Sequence, residues 1–401
     1  MIPAKTNDRL EPETSQRRFA QKGSTFITRH NIPIGRILGI PVGLDYSWLV
    51  VFTLFTWMLA RNYFPAEFKD WSRLLYWIVG ADAVVMLFAS VLLHELGHSA
   101  VALWYKIPVR SITLFLFGGV AQIGKEPPGA VAEVLIAIAG PLVSLALAFL
   151  FYIVTPLAAG MEPLFGLAKL LAYINLGLVL FNMIPGYPLD GGRVFRTILW
   201  AITKNLRRST IITANIGRFF AFGFIFFGVW QMLTGKIGGG VWIVIIGWFL
   251  DNAASGQVQQ AMSHGLLEGH TVSQVGGSHC AVVPAELTLQ QLVDEHILGT
   301  GQRCFLVNRE DNIVGLMTLH RIKEVPRLEW ATTSAARVML PLEHLKRVEP
   351  DTELWAALEK MDSNGVNQLP ITRGNRVIGM ITREDVITFL RSLQELGTLP
   401  T

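Results

Sequence analysis

Between residues 46 and 256 the chain is written as six apolar stretches, at roughly 46–62, 75–105, 128–155, 163–184, 209–233 and 239–256. Most of them approach the ~20 residues that a helix needs to cross hydrocarbon. Lipid offers no partner for a backbone N–H or C=O, so stretches of this kind are read as transmembrane helices. Pro127-Pro128, Pro156, Gly160, Gly186 to Pro188 and Gly238 to Gly240 separate several of them. Trp71, Trp77, Trp104 and Tyr105 fall near their ends, where an aromatic belt sits. Hydrophobic residues make up 51% of the sequence and charged ones only 16%. The charges are sparse in the middle and denser on both sides, which predicts a polar arm at 1–40 and a membrane domain at 41–258. The arm is basic (Arg17, Arg18, Lys22, Arg29, Arg36), has no early apolar core, and does not read as a cleaved signal peptide. The net charge of +4, with no basic tract interleaved with aromatics, argues against nucleic-acid binding. The two cysteines, Cys280 and Cys304, are too few for a disulfide framework and are expected to be ordinary small apolar residues.

Basic residues orient the bundle. The arm carries Lys5, Arg9, Arg17, Arg18, Lys22, Arg29 and Arg36. The following connections on the same side carry Lys106, Arg110 and Lys125, then Arg193, Arg196, Lys204, Arg207 and Arg208. The opposite side has Arg61, Lys69, Arg73 and Lys236. This bias places both termini in the cytoplasm, with the chain multi-pass in a plasma membrane.

Segment 107–124 does not fit a helical span. Ser111, Thr113, Phe115 and Phe117 alternate with Ile112, Leu114 and Leu116 before Gly118-Gly119 breaks the run, which predicts a strand or hairpin. Open strand edges are forbidden against lipid, so this piece must be buried in protein or line a wet cavity. After about residue 260 the text becomes a soluble α/β alternation, and it repeats. Asn312 to Thr318 matches Arg376 to Thr382, with Gly315 and Gly379 aligned. Each copy has an upstream helix pattern and a short strand, and the two copies are expected to pack face to face.

The chemistry is concentrated in His94-Glu95-Leu96-Gly97-His98, inside the second apolar stretch. Positions i and i+4 share a helix face, so both imidazoles can reach one metal, with Glu95 placed to address a water beside it. Two histidines and a glutamate at hydrocarbon depth are costly unless they serve a site. A third ligand is needed, and the strongest candidate is Asp190 in Asn182-Met183-Ile184-Pro185-Gly186-Tyr187-Pro188-Leu189-Asp190-Gly191-Gly192. The orientation supports this pairing: spans two and four both run inward, and His98 and Asp190 both lie toward the inner ends. Asp82 is three helical turns from His94 and on another face, so it cannot serve. Glu133, at the start of the third span, is a weaker rival. Lys169 and Arg218 are expected to snorkel or to pair within the bundle.

Together, HELGH in a span, a GG-containing strand segment and N-x-x-P-x-x-P-L-D-G-G after a later span resemble the site-2 protease family of intramembrane metalloproteases. The tail resembles a pair of CBS domains, at 265–327 and 331–395. The resemblance implies a multi-pass α-helical membrane domain of about six helices with a membrane-associated β-strand segment, followed by a soluble α/β tandem. It implies one Zn2+ held by His94, His98 and Asp190, Glu95 as general base, and Asn182 near the scissile carbonyl. Gly118 and Gly119 would belong to the strand that holds substrate, which would be single-span transmembrane proteins cut within the lipid bilayer. In the CBS pair it implies an adenine nucleotide such as ATP or AMP contacted by Thr318, Thr382 and Asp385, although Arg321 stands where the first copy's Asp would fall. A packing or homodimerisation module without ligand is the other reading of that pair. A CBS-regulated transporter or channel is the rival for the whole chain. It would place ionisable or unwound elements at the midplane of several spans, whereas the polar residues here gather at two inner-side motifs. A catalytically dead membrane scaffold would not need the intact His94, Glu95, His98 and Asp190 set.

Overall fold

The computed structural model describes residues 31–124, 127–275, 280–302, 304–310, 312–342, 345–374 and 376–396. The arm's residues 1–30 and Lys125 lie outside them. The chain divides into two compact units, Met1–Ser255 and Gly256–Thr401.

The first unit opens with strands β1 (Asn31–Ile37) and β2 (Ile40–Asp45). Ile37 pairs Ile40 across a two-residue turn in which Leu38 and Gly39 both have positive φ, the geometry that matches strand twist in a tight hairpin. The expected arm boundary at 40 therefore falls inside a hairpin. Pro33 and Gly35 interrupt the alternation of β1 and hide the strand in the sequence. Helix α1 (Ser47–Met58) continues through a π-helical turn (Leu59–Tyr63) into α2 (Phe64–Glu67). Five longer helices follow: α3 (Arg73–Trp104), α4 (Ala130–Leu157), α5 (Glu162–Asn182), α7 (Leu206–Leu233) and α8 (Ile237–Leu267), with the short α6 (Asp190–Thr203) between α5 and α7. These five are long and apolar enough to cross a membrane. Six spans were expected from the sequence. The first apolar stretch corresponds to the run 47–67, where the π turn containing Arg61 interrupts the α-helix.

Segment 107–124 forms the predicted hairpin, β3 (Val109–Phe115) and β4 (Gly118–Ile123). Strand β2 adds to β3 in parallel, with Val42 opposite Ile112 and Leu44 opposite Leu114, giving the order β1-β2-β3-β4. Both edges of β3 are thus occupied, and β4 and β1 are the terminal strands among the described residues. Buried Ile40, Val42 and Ile112 pack this sheet against Leu92 and Leu96 of α3. Of the two fates expected for them, snorkelling or pairing, Lys169 pairs with Glu67 and Arg218 with Asp251.

The second unit contains the repeat read in the sequence. Strands β5 (Ala281–Pro284), β6 (Cys304–Arg309), β7 (Asn312–Thr318) and β8 (Leu340–Pro341) form one sheet in chain order. Strands β9 (Gln368–Arg373) and β10 (Arg376–Thr382) form the matching hairpin. The parallel β5–β6 pairing has its counterpart in the bridge Val348–Ile371. Leu306 and Leu316 of one copy meet Met380 of the other in a shared apolar cluster, the face-to-face packing expected of two half-buried sheets. Cys280 and Cys304 are not free apolar residues: they form a disulfide, with Cα atoms 4.9 Å apart. Because Ala281 is opposite Phe305, the residues just before them are neighbours across two parallel strands. Their 24-residue separation in sequence conceals this.

Candidate metal centre

On α3, His94 and His98 sit one turn apart and both are 5% exposed. Their Nε2 atoms lie 3.1 Å from each other. The Asp190 Oδ2 atom lies 3.1 Å from the first and 3.3 Å from the second. Three ligand atoms bound tetrahedrally to one zinc at about 2.0–2.2 Å would stand about 3.3–3.6 Å apart, so the triangle fits a single small ion. Among the described residues this is the group of His, Cys, Asp and Glu side chains able to hold a metal. The donor set, two imidazoles and a carboxylate, is the type that leaves a fourth position for water.

The outer partners of both rings come from α4. His98 Nδ1 donates to the Ile136 carbonyl at 2.7 Å, and His94 Nδ1 lies 2.9 Å from Ser144 Oγ. A proton held on Nδ1 leaves Nε2 bare toward the centre. Between these partners, Gly140 faces the ligand atoms. A Cβ there would lie 2.2 Å from His98 Nε2 and 2.6 Å from His94 Nε2, so the hydrogen of Gly140 is what keeps the centre open. None of these three was read from the sequence. The available signal was Gly140-x-x-x-Ser144 in a span, the small-residue spacing that allows close helix approach.

Asp190 reaches the site because the chain turns sharply after Asn182, the last residue of α5, and restarts as α6 at Asp190 itself. Gly191 and Gly192 let the new helix return against its own loop. A Cβ on them would lie 2.4 Å from the carbonyl carbons of Met183 and Gly186. Leu189 anchors the turn in an apolar cluster with Ala221 of α7 and Leu250 of α8. Glu133, the rival acid, is directed elsewhere: its carboxylate pairs with Arg196 of α6.

Glu95 stands against the β-sheet. A Cβ on Gly119 of β4 would lie 2.5 Å from its Cγ. Gly118 opens β4 at φ +135°, a conformation that other residues rarely adopt. Gly119 thus lets β4 run directly beside Glu95, while Gly118 makes the turn into the strand. In the second unit, Thr382 caps α9 (Arg383–Glu395), and its N–H and hydroxyl both donate to Asp385 Oδ2 at 2.8 Å. Thr318 occupies the N-cap position of a five-residue helix (Leu319–Lys323) without a side-chain capping bond, and Arg321 there pairs with Glu324.

The family model "Peptidase family M50" matches residues 82–167 and 157–225, which include His94, Glu95, His98 and Asp190. Rip3 of Mycobacterium tuberculosis is 36% identical over 89% of this chain and 92% of its own length. The chain belongs to peptidase family M50. The zinc metalloprotease MJ0392 of Methanocaldococcus jannaschii is 25% identical over 91% of this chain and 97% of its own. The site-2 protease structure from that organism is 30% identical, covers 57% of this chain and 95% of its own, and superposes with a TM-score of 0.41. A CBS domain model matches residues 336–392, within the second repeat. This M50 member is therefore a multi-pass membrane metallopeptidase with a C-terminal CBS module.

Proposed function

We propose that this M50 peptidase cleaves single-span transmembrane proteins within the bilayer, using Zn2+ held by His94, His98 and Asp190. The observation that carries the reading is the convergence of two imidazole nitrogens and one carboxylate oxygen within 3.3 Å of one another in a buried site. Bound zinc supplies Lewis acidity, lowering the pKa of water and polarising a carbonyl. Glu95 takes the proton from the attacking water and delivers it to the leaving amine. Asn182, eight residues before Asp190, donates to the oxygen of the scissile carbonyl. A helical substrate must become extended before attack. The edge of β4, with Gly118 and Gly119, offers it replacement backbone hydrogen bonds beside Glu95.

The basic loops favour an orientation with both termini in the cytoplasm of a plasma membrane, the membrane domain ending near 258 and the CBS copies spanning 265–327 and 331–395. The CBS pair acts as a regulatory module that binds an adenine nucleotide, ATP or AMP, through Thr318, Thr382 and Asp385, and that joins two chains. The test of the catalytic reading is cleavage of a single-span substrate by purified full-length protein and by Glu95→Gln. The variant is expected to keep its zinc and lose turnover by a factor of roughly 10²–10⁴. Normal cleavage by Glu95→Gln would remove Glu95 from the mechanism.

A further inference from the structure

Two proposed ligands arrive on α3 and the third on α6, so the metal geometry depends on how α6 is held relative to the rings. Helix α4 already fixes the rings, through Ile136 and Ser144. The same helix also grips α6. Glu133, 3% exposed and one turn ahead of Ile136, pairs with Arg196. Arg196 lies six residues beyond Asp190, about 9 Å along the helix. Its guanidinium also covers the ring of Tyr187, 5.8 Å from the centroid, in the loop that leads into Asp190. One side chain therefore touches the elements on both sides of the third ligand and ties them to the helix that orients the other two.

Stability does not explain this arrangement. Taking a carboxylate and a guanidinium out of water is expensive, and a buried pair is often no better than well-packed apolar residues of similar volume. Its attested use is to specify one arrangement over others. We propose that Glu133 and Arg196 are positioning residues, which set the start of α6 against α4 and hold Asp190 at metal-binding distance from His94 and His98. This rests on the metal reading given under Proposed function.

The experiment compares zinc affinity, by competition with a chromophoric chelator, and cleavage kcat and KM for the full-length wild type, Arg196→Gln and the double variant Glu133→Leu/Arg196→Met. Arg196→Gln is expected to bind zinc roughly tenfold or more weakly, with a lower kcat and an unchanged KM. The apolar double variant is expected to melt like the wild type and still bind zinc weakly, an outcome that a merely structural pair would not give. Zinc affinity and kcat at wild-type level in the double variant overturn the inference. Arg196→Lys covers the case in which neither variant folds. It keeps the charge but not the fork or the stacking on Tyr187, so several-fold weaker zinc binding is expected, and wild-type affinity overturns the inference. A wild type that takes up no zinc overturns the metal reading itself, which is a distinguishable failure.

Discussion

Gly140→Ala is the substitution by which the centre is most sharply tested, because it adds one methyl and removes nothing. In α4 it is otherwise favourable, since alanine is preferred over glycine in a helix interior by about 1 kcal/mol. The added Cβ would lie 2.2 Å from His98 Nε2, whereas ordinary contact begins at 3.4 Å, so ring and methyl must separate by 3.4 − 2.2 = 1.2 Å. Metal–ligand distances tolerate only about 0.2 Å. The His98 ring cannot swing away without losing the Ile136 carbonyl. Helix α4 can back off only by opening its close contact with α3 at Gly97, where a Cβ would meet the Ala139 carbonyl oxygen at 2.9 Å. Overpacking of one methyl costs about 1–3 kcal/mol, partly offset by helix propensity, so the variant should fold. The expected result is a folded, monodisperse protein with at least 100-fold weaker zinc binding and no detectable cleavage of a single-span substrate. One zinc per chain and wild-type turnover in Gly140→Ala would refute the placement of the centre against α4.

Ser144→Ala removes the partner of His94 Nδ1 while leaving the ligands in place, so zinc affinity should fall roughly tenfold, measured by chelator competition. Asp385→Ala breaks the capping box of α9 and should lower the stability of the second unit by about 1 kcal/mol, read from its denaturant unfolding.

The proposed ligands were legible because each lies in a short, local pattern. The i, i+4 spacing of His94 and His98 is a helical property, and Pro185, Pro188 and the glycines around Asp190 mark a turn at the end of a span. The hairpin at 109–123 was legible from its alternation. Ile136, Gly140 and Ser144 were not, because their roles arise from the register in which α4 packs on α3, and a carbonyl oxygen or a missing Cβ has no signature of its own. Glu133 looked like a rival ligand for the same reason: only the packing of α4 against α6 reveals Arg196 as its partner. The Cys280–Cys304 bridge depends on β5 lying beside β6, and β1 was masked by Pro33 and Gly35. Local chemistry was readable, whereas lateral neighbours across helices and strands were not.

X-ray absorption at the zinc edge of the purified protein tests whether His94, His98 and Asp190 hold the metal. The account predicts one zinc per chain, with two imidazole nitrogens at about 2.0–2.1 Å and a carboxylate oxygen at about 2.0–2.2 Å. A protein without zinc, or a coordination shell lacking the two imidazoles, would contradict it.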